Sequence, residues 1–300
     1  MKKFNILLIA FLAITALTRA EVLFVEDFEY PDGSVLTVNP EWFLQWGGDS
    51  NMPIVSPGLK FEGYTTAAND KALLIEGDHT NDMPHHVFTQ VTTGDVFVAF
   101  LLEPTFVTKS GYILTLRDEK ANNSAYNYCG RVYVGVDEEY NNIVGLRFFK
   151  KAAAEFADVI LASDKTYLLV MQYHIVAGSN NDEISLYLFD KMPTSLPKEP
   201  LLGPLTDAEA PDINPAHVVF HSYDNDGMVT VDGLRVATTF WEALGVEEPD
   251  EPEDPEEGFE NVSVSQKAVK VIRDGQIIIL RNGSAYNLLG VGGITNFSPC

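Results

Sequence analysis

The sequence predicts an all-β protein in which antiparallel strands form a two-layered sandwich. From Val22 onward, apolar residues either alternate with polar ones or form short runs, and both patterns are typical of strands. Clusters of Gly, Asn, Asp and Pro separate these runs and favour turns. Such clusters stand at 31–33, 47–51, 178–182 and 224–227. Because long helices do not alternate with the strands, the pattern argues against βαβ units.

The first twenty residues predict a secretory signal peptide. Lys2 and Lys3 precede an uncharged apolar stretch of twelve residues from Ile6 to Leu17, and Ala20 offers a small residue for cleavage. A bilayer-spanning helix needs about 20 apolar residues, so this stretch is too short to remain as an anchor. We therefore expect the chain to be exported.

Three segments follow the predicted signal peptide. Residues 21–245 hold the predicted strands of the sandwich, in which 150–162 is interpreted as strand and turn and 239–244 as a short closing helix. Residues 246–260 form a linker, because Glu247 to Glu260 carries nine acids, no bases and three prolines. Residues 261–300 form a small tail, where strands at 267–273 and 276–281 flank Asp274-Gly275, a strong hairpin pattern. A third short strand is predicted between Ala285 and Leu289.

The composition limits the partners. The formal charge is −23, and a surface this acidic repels phosphate backbones and anionic lipid. We therefore expect no nucleic-acid partner, whereas cations and sugars remain compatible. The two cysteines, Cys129 and Cys300, are expected to be free thiols.

Two segments resemble known families. The tail resembles the C-terminal sorting domain of Bacteroidetes proteins exported by the type IX secretion system, through Val271 to Ile277 and Tyr286 to Gly290. The ending VGGITNFSPC departs from the family pattern. The resemblance implies export machinery as a partner and an extracellular or outer-membrane location, with the periplasm as the location if the tail does not function.

The body resembles laminin G-like and concanavalin A-like jelly-roll domains, through Glu26 to Gly33 at its start and Val231 to Thr239 at its end. This resemblance implies an antiparallel jelly-roll β-sandwich whose first and last strands pair. It also implies an association with carbohydrate, often with calcium. A fold does not fix a function, so residues that could carry chemistry are considered separately.

Catalytic groups are not evident. A match to the glucanase pattern E-x-D-x-x-E runs from Glu248 to Glu253, but it lies in the linker and contains two prolines, which a central strand does not accept. Adjacent His85 and His86 point to opposite sides of a strand, whereas His217 and His221 share one side. We predict no catalytic residues.

Two groups of residues are candidates for binding. Asp224, Asn225 and Asp226 precede Gly227, and their oxygens suit calcium, although a plain turn explains them too. Trp42, Trp46 and Tyr64 lie in an irregular segment and can either stack on sugar rings or plug the end of the sandwich.

The sequence thus predicts an exported, non-catalytic module that binds a polysaccharide or cell-surface glycan, with calcium as a possible cofactor. Two alternatives stay open. One is a structural surface or matrix protein without a small ligand, and the other is a glycan-degrading enzyme.

Overall fold

The computed structural model describes residues 20–44, 52–66, 70–77, 83–119, 127–222, 226–249, 269–273, 276–281 and 284–286. The chain divides into two compact units, Met1–Pro249 and Asp250–Cys300. Among the described residues, no helix is both long enough and apolar enough to cross a membrane.

The first unit contains two antiparallel sheets, and its strands are numbered in chain order. The eight-stranded sheet consists of β1 (Val22–Glu26), β3 (Ile54–Val55), β4 (Ala72–Glu76), β6 (Gly94–Lys109), β11 (Tyr167–Ile175), β12 (Glu183–Phe189), β13 (Leu202–Leu205) and β15 (Asp226–Ala237). The seven-stranded sheet consists of β2 (Phe43–Leu44), β5 (Pro84–Val87), β7 (Gly111–Asp118), β8 (Tyr128–Val136), β9 (Asn142–Arg147), β10 (Glu155–Phe156) and β14 (Pro215–Phe220).

The strand order is that of a jelly roll rather than of a meander. The eight-stranded sheet runs β13-β12-β11-β6-β15-β4-β3, and β1 also pairs with β15. The seven-stranded sheet runs β10-β9-β8-β7-β14-β5-β2. Val25 of β1 lies opposite Arg235 of β15, so the first and last strands of the body pair as predicted. The all-β sandwich is confirmed.

The main core lies between the two sheets. Alternate residues of β6 and β11, such as Phe100 and Tyr173, meet alternate residues of β8 and β14, such as Val132 and Phe220, and all four are buried. Because side chains of a strand alternate between its two faces, this core uses only one face of each sheet.

A second apolar cluster covers part of the outer face of the eight-stranded sheet. Its residues Phe97, Leu168 and Tyr187 pack beneath Phe240 and Trp241, which belong to helix α1 (Phe240–Leu244). The hydroxyl of Thr239 accepts a hydrogen bond from the backbone N–H of Glu242, and Gly245 ends the helix at φ 71°, as expected for a short capped helix. The predicted closing helix is therefore present, and it covers the part of this face that the second cluster occupies.

The second unit contains three strands, β16 (Val269–Arg273), β17 (Gln276–Arg281) and β18 (Ser284–Tyr286), in that order. Arg273 pairs with Gln276 and Arg281 with Ser284, both in antiparallel register. The strands fall where the hairpin pattern predicts them, and the turn residues Asp274-Gly275 lie outside the described part of the chain.

Candidate functional site

The two described aromatic candidates lie inside the protein. The ring of Trp42 is 2% exposed and stacks on Phe220 at 5.6 Å between centroids, and its Nε1 donates to Oε2 of Glu26 at 2.8 Å. The buried Tyr64 belongs to the second apolar cluster, where its hydroxyl donates to the carbonyl oxygen of Gly233 at 2.6 Å. The structure therefore places these two rings in different cores and gives each a packing role. Trp46 lies outside the described residues.

The predicted calcium ligands lie at or beyond the edge of the described residues. Asp224 and Asn225 lie outside the described residues, and Asp226 is the first residue of β15, with its side chain undescribed. In the parts of the chain that the structure describes, no group of three or more His, Cys, Asp or Glu side chains is placed to hold a metal ion. Calcium binding stays a prediction.

The outer face of the seven-stranded sheet differs from that of the eight-stranded sheet. Where the eight-stranded sheet has apolar residues under a helix, the seven-stranded sheet has long polar and aromatic side chains. Alternation explains the difference: Val132 and Val134 of β8 point into the main core, so Arg131 and Tyr133 must point away from it. Register then places neighbouring residues on the same side. The described residues of this outer face include Phe43, His85, Tyr112, Arg117, Arg131, Tyr133, Arg147, Phe156, His217 and His221.

Two arginines of this face lie over tyrosine rings. Tyr112 is held between two groups, because His221 stacks on it at 3.8 Å between ring centroids and Cζ of Arg131 lies 4.6 Å from the ring centre. Cζ of Arg147 lies 5.1 Å from the ring centre of Tyr133. Such cation–π contacts hold a guanidinium flat against a ring. Burial raises the pKa of Tyr112 to about 12, so its hydroxyl stays protonated as a hydrogen-bond donor at neutral pH.

A neutral histidine pair adjoins the arginines. Arg117 lies directly opposite His217, with its Nη2 at 3.0 Å from Nδ1 and 3.1 Å from Nε2 of the imidazole. An arginine can only donate, so the accepting nitrogen must be unprotonated. Burial, together with the charge of Arg117, lowers the pKa of His217 to about 3 and that of the neighbouring His85 to about 4. Both rings are therefore uncharged at neutral pH.

Exposed phenylalanines mark the two edges of the face. Phe43 on β2 is 51% exposed and lies against His85, and Phe156 on β10 is 37% exposed and meets the ring of Tyr133 edge-on at 6.0 Å. Gly135 and Gly145 make room for Phe156, since a Cβ at either position would come within 2.8 Å of its ring. Six inter-strand spacings separate β10 from β2, which is roughly 29 Å. The face is therefore longer than a single small molecule.

The sequence reasoning missed this face. The segments 111–117, 131–136 and 143–149 are rich in apolar residues, and the polar residues within them were not assigned a role. The available pattern was an arginine in each of three successive apolar strands, Arg117, Arg131 and Arg147, in a chain with only 20 basic residues. It did anticipate that His217 and His221 share one side and that His85 and His86 separate. His86 indeed stacks on Phe24 at 3.8 Å, away from His85 and the outer face.

The named side chains of this face do not make a glycosidase centre. They are arginines, histidines, tyrosines and phenylalanines, whereas most glycosidases use two carboxyl groups about 5–10 Å apart. The arrangement offers hydrogen-bond donors, positive charge and apolar ring surface. These are the properties of a binding surface.

Comparisons with known proteins give similarity only at the level of structure. No family model matches the chain, and no curated protein matches it. Among solved structures it is similar to an alginate lyase, with 7% sequence identity, a TM-score of 0.45 and coverage of 71% of this chain and 95% of the lyase. It is also similar to the globular domain of T. cruzi calreticulin, with 16% identity, a TM-score of 0.44 and coverage of 75% and 91%. A cellulose-induced protein gives 14% identity, a TM-score of 0.43 and coverage of 72% and 97%.

Proposed function

We propose that this chain is an exported, non-catalytic module that binds carbohydrate on the outer face of its seven-stranded sheet. The observation that carries the proposal is the contrast between the two outer faces. A helix and apolar residues cover part of one, while the other carries rings and hydrogen-bond donors, several of them buried, between the exposed Phe43 and Phe156. Sugars present C–H patches to aromatic rings and hydroxyls to polar groups, and a binding face needs both.

Export and surface location belong to the same proposal. They are supported by the apolar stretch Ile6 to Leu17 behind two lysines and by the sorting-like tail. An exported protein would meet polysaccharides outside the cell or on its surface. The second partner in this proposal is the export machinery that binds the tail.

The test is a glycan array probed with the purified chain, with reducing ends assayed on every glycan that binds. We expect retention of at least one polysaccharide without release of reducing ends. Release of reducing ends would contradict the non-catalytic assignment and favour the degradative enzyme. Failure to bind any glycan would contradict the proposal and favour the structural surface protein.

The edge phenylalanines should contribute to that affinity. We expect the double variant Phe43→Ala/Phe156→Ala to bind the retained glycan about tenfold more weakly, because each ring contact is worth about 0.5–1.5 kcal/mol. Isothermal titration with the wild type and the variant measures the change. Phe106→Ala is the matched control, since Phe106 is 47% exposed but lies on β6 of the other sheet. An equal loss in the control variant would place the ligand elsewhere.

Calcium dependence is a separate prediction. If Asp224, Asn225 and Asp226 bind calcium, excess calcium should raise the midpoint of thermal unfolding, because a ligand at a hundredfold excess over its Kd stabilises by about 2.7 kcal/mol. Differential scanning fluorimetry in calcium and in chelator measures this shift, and the variant Asp224→Asn/Asp226→Asn should abolish it. Identical wild-type curves in calcium and chelator would show that this turn binds no calcium.

A further inference from the structure

The outer face of the seven-stranded sheet concentrates positive charge. Arg117, Arg131 and Arg147 lie on three adjacent strands, β7, β8 and β9. Arg131 and Arg147 are direct cross-strand partners, so their side chains leave the sheet next to each other on the same side. Like charges placed directly opposite each other destabilise a sheet.

No carboxylate neutralises this pair among the described residues. The ion pairs formed there involve other cations, such as Lys71 with Asp32 at 2.7 Å and Lys165 with Asp190 at 3.7 Å. The Nε atoms of Arg131 and Arg147 are buried and find no hydrogen-bond partner in the described part of the chain. Each guanidinium instead lies over a tyrosine ring, which accepts a cation but supplies no negative charge.

This arrangement costs folding free energy. Arg131 is 8% exposed, and removing a guanidinium from water is unfavourable unless hydrogen bonds or an opposite charge compensate. Burial, with the charge of Arg131 beside it, lowers the pKa of Arg147. The chain has 43 acidic residues against 20 lysines and arginines, so carboxylates for an internal partner are abundant. An anionic ligand would supply the negative charge that the described surroundings of this pair do not.

We infer that the glycan bound on this face is acidic, and that Arg131 and Arg147 bind its carboxylate or sulfate groups. This inference rests on the proposed function and adds the chemical class of the ligand. Guanidinium groups bind carboxylate and sulfate oxygens through paired N–H donors. Phe156, in contact with Tyr133 beneath Arg147, offers apolar surface to the sugar ring that carries the charge.

An acidic glycan fits this surface better than nucleic acid does. Duplex DNA carries one charge per about 1.7 Å of its axis, and the acidic remainder of a chain with net charge −23 repels so dense a polyanion. A glycan with at most one carboxylate on each sugar has a lower charge density. It also presents ring surface between its charges, which the phenylalanines at the two edges can contact.

The experiment compares polygalacturonate with its methyl ester, since the two polymers share a backbone and differ in charge. Dextran sulfate and dextran form a second pair that separates sulfate from carboxylate, and single-stranded DNA tests for unspecific anion binding. Binding to the full chain is measured by biolayer interferometry at two salt concentrations. We expect binding to at least one charged polymer, at least about tenfold tighter than to its neutral counterpart, and weaker binding at high salt.

The variant Arg131→Gln/Arg147→Gln keeps most of each side-chain stem and removes both charges. We expect it to lose at least about tenfold in affinity for the charged polymer, because the charge-assisted hydrogen bonds from both guanidinium groups are removed. Arg235→Gln is the matched control: Arg235 also lies over a tyrosine, Tyr64 at 5.7 Å, but on β15 of the other sheet. Far-ultraviolet circular dichroism confirms that each variant is folded. If the glutamine variant does not fold, Arg131→Lys/Arg147→Lys replaces it; this variant keeps the charges but removes the paired N–H donors, and we expect it to bind the charged polymer more weakly than the wild type.

The outcomes separate the two proposals. Equal affinity for a charged polymer and its neutral counterpart would overturn the acidic ligand while leaving glycan binding intact. Equal losses in the paired variant and in Arg235→Gln would also overturn it. DNA binding as tight as that of the best glycan would show a general anion surface and contradict the inference. Binding to no glycan at all would contradict the proposed function itself.

Discussion

Replacing Trp42 with alanine is expected to lower the free energy of unfolding by about 4 kcal/mol, within the range for deleting a large aromatic side chain from a core. The ring is 2% exposed. It stacks on Phe220 and meets the rings of Phe24 and His86 edge-on at 6.0 and 5.5 Å. Neighbours on both sheets therefore lose contacts when it is removed.

A second loss comes through Glu26, which is buried beside Trp42. Its Oε2 accepts from Nε1 of Trp42 at 2.8 Å and from the hydroxyl of Tyr30 at 2.6 Å, and its Oε1 accepts from the backbone N–H of Phe28 at 2.7 Å. Trp42→Phe keeps most of the packing and removes only the indole donor. We expect that variant to cost about 1–3 kcal/mol.

Guanidinium unfolding followed by circular dichroism measures both variants, and Val38→Ala provides the exposed control, which should stay within about 0.5 kcal/mol of the wild type. The same samples are titrated with the bound glycan while folded. Unchanged stability combined with lost glycan affinity would contradict the core role of Trp42 and support the sugar-stacking role that the sequence also allowed. Lower stability with unchanged affinity would establish that it closes the core.

The arrangement of the body could be predicted because local and global patterns agree along it. The segment 166–176 contains a short apolar run and 183–189 alternates, and they became β11 and β12 in uninterrupted register from Leu168 with Phe189 to His174 with Glu183. The stretch 150–162 has helical propensity, yet it holds β10 and an isolated bridge between Asn142 and Leu161. The flanking strands therefore determine an extended conformation there in spite of the helical propensity of the segment, as predicted.

The binding face could not be predicted from the same patterns. Alternation of side chains shows that a strand has two faces. It does not show which face points into the core when both faces carry large side chains. In β7, an irregularity between Tyr112 and Leu114 shifts the alternation of side chains. Counting every second residue from the start of the strand therefore assigns its later residues to the wrong side. Which strands adjoin is also a long-range property: Arg131 and Arg147 become neighbours only once β8 and β9 pair. The apolar pattern of 22–28 continues to Phe28, whereas β1 ends at Glu26, because Phe28 takes a positive φ of 53°.

The stability of the fold should depend on pH through Asp232, a buried carboxyl on β15 that is 2% exposed. Burial raises its pKa from 3.8 to about 7, with the charges of Asp27 and Glu29 acting in the same direction. Backbone N–H groups of Leu59 and Gly233 donate to its oxygens at 2.9 and 2.7 Å and offset part of this rise. The folded protein therefore holds this proton more tightly than the unfolded chain does.

Because the folded pKa is the higher one, the stabilisation from Asp232 is complete below about pH 4 and is lost as the pH rises through 7. Three pKa units correspond to about 4 kcal/mol. His85 and His217, with pKa values lowered to about 4 and 3, act in the opposite direction, since their contribution is present above pH 6.5 and lost as the pH falls. The wild-type profile combines both effects, so the carboxyl must be isolated by substitution.

Asp232→Asn keeps the shape of the side chain and cannot ionise. Urea unfolding at intervals between pH 4.5 and 8 should show that the difference in unfolding free energy between this variant and the wild type changes by on the order of 3 kcal/mol across that window. The wild type gains relative stability toward low pH. Asp190→Asn is the control, because the Asp190 side chain is 64% exposed and pairs only with Lys165 across 3.7 Å in the described structure. Parallel profiles for the wild type and Asp232→Asn would show that Asp232 does not titrate in this window and would contradict the prediction.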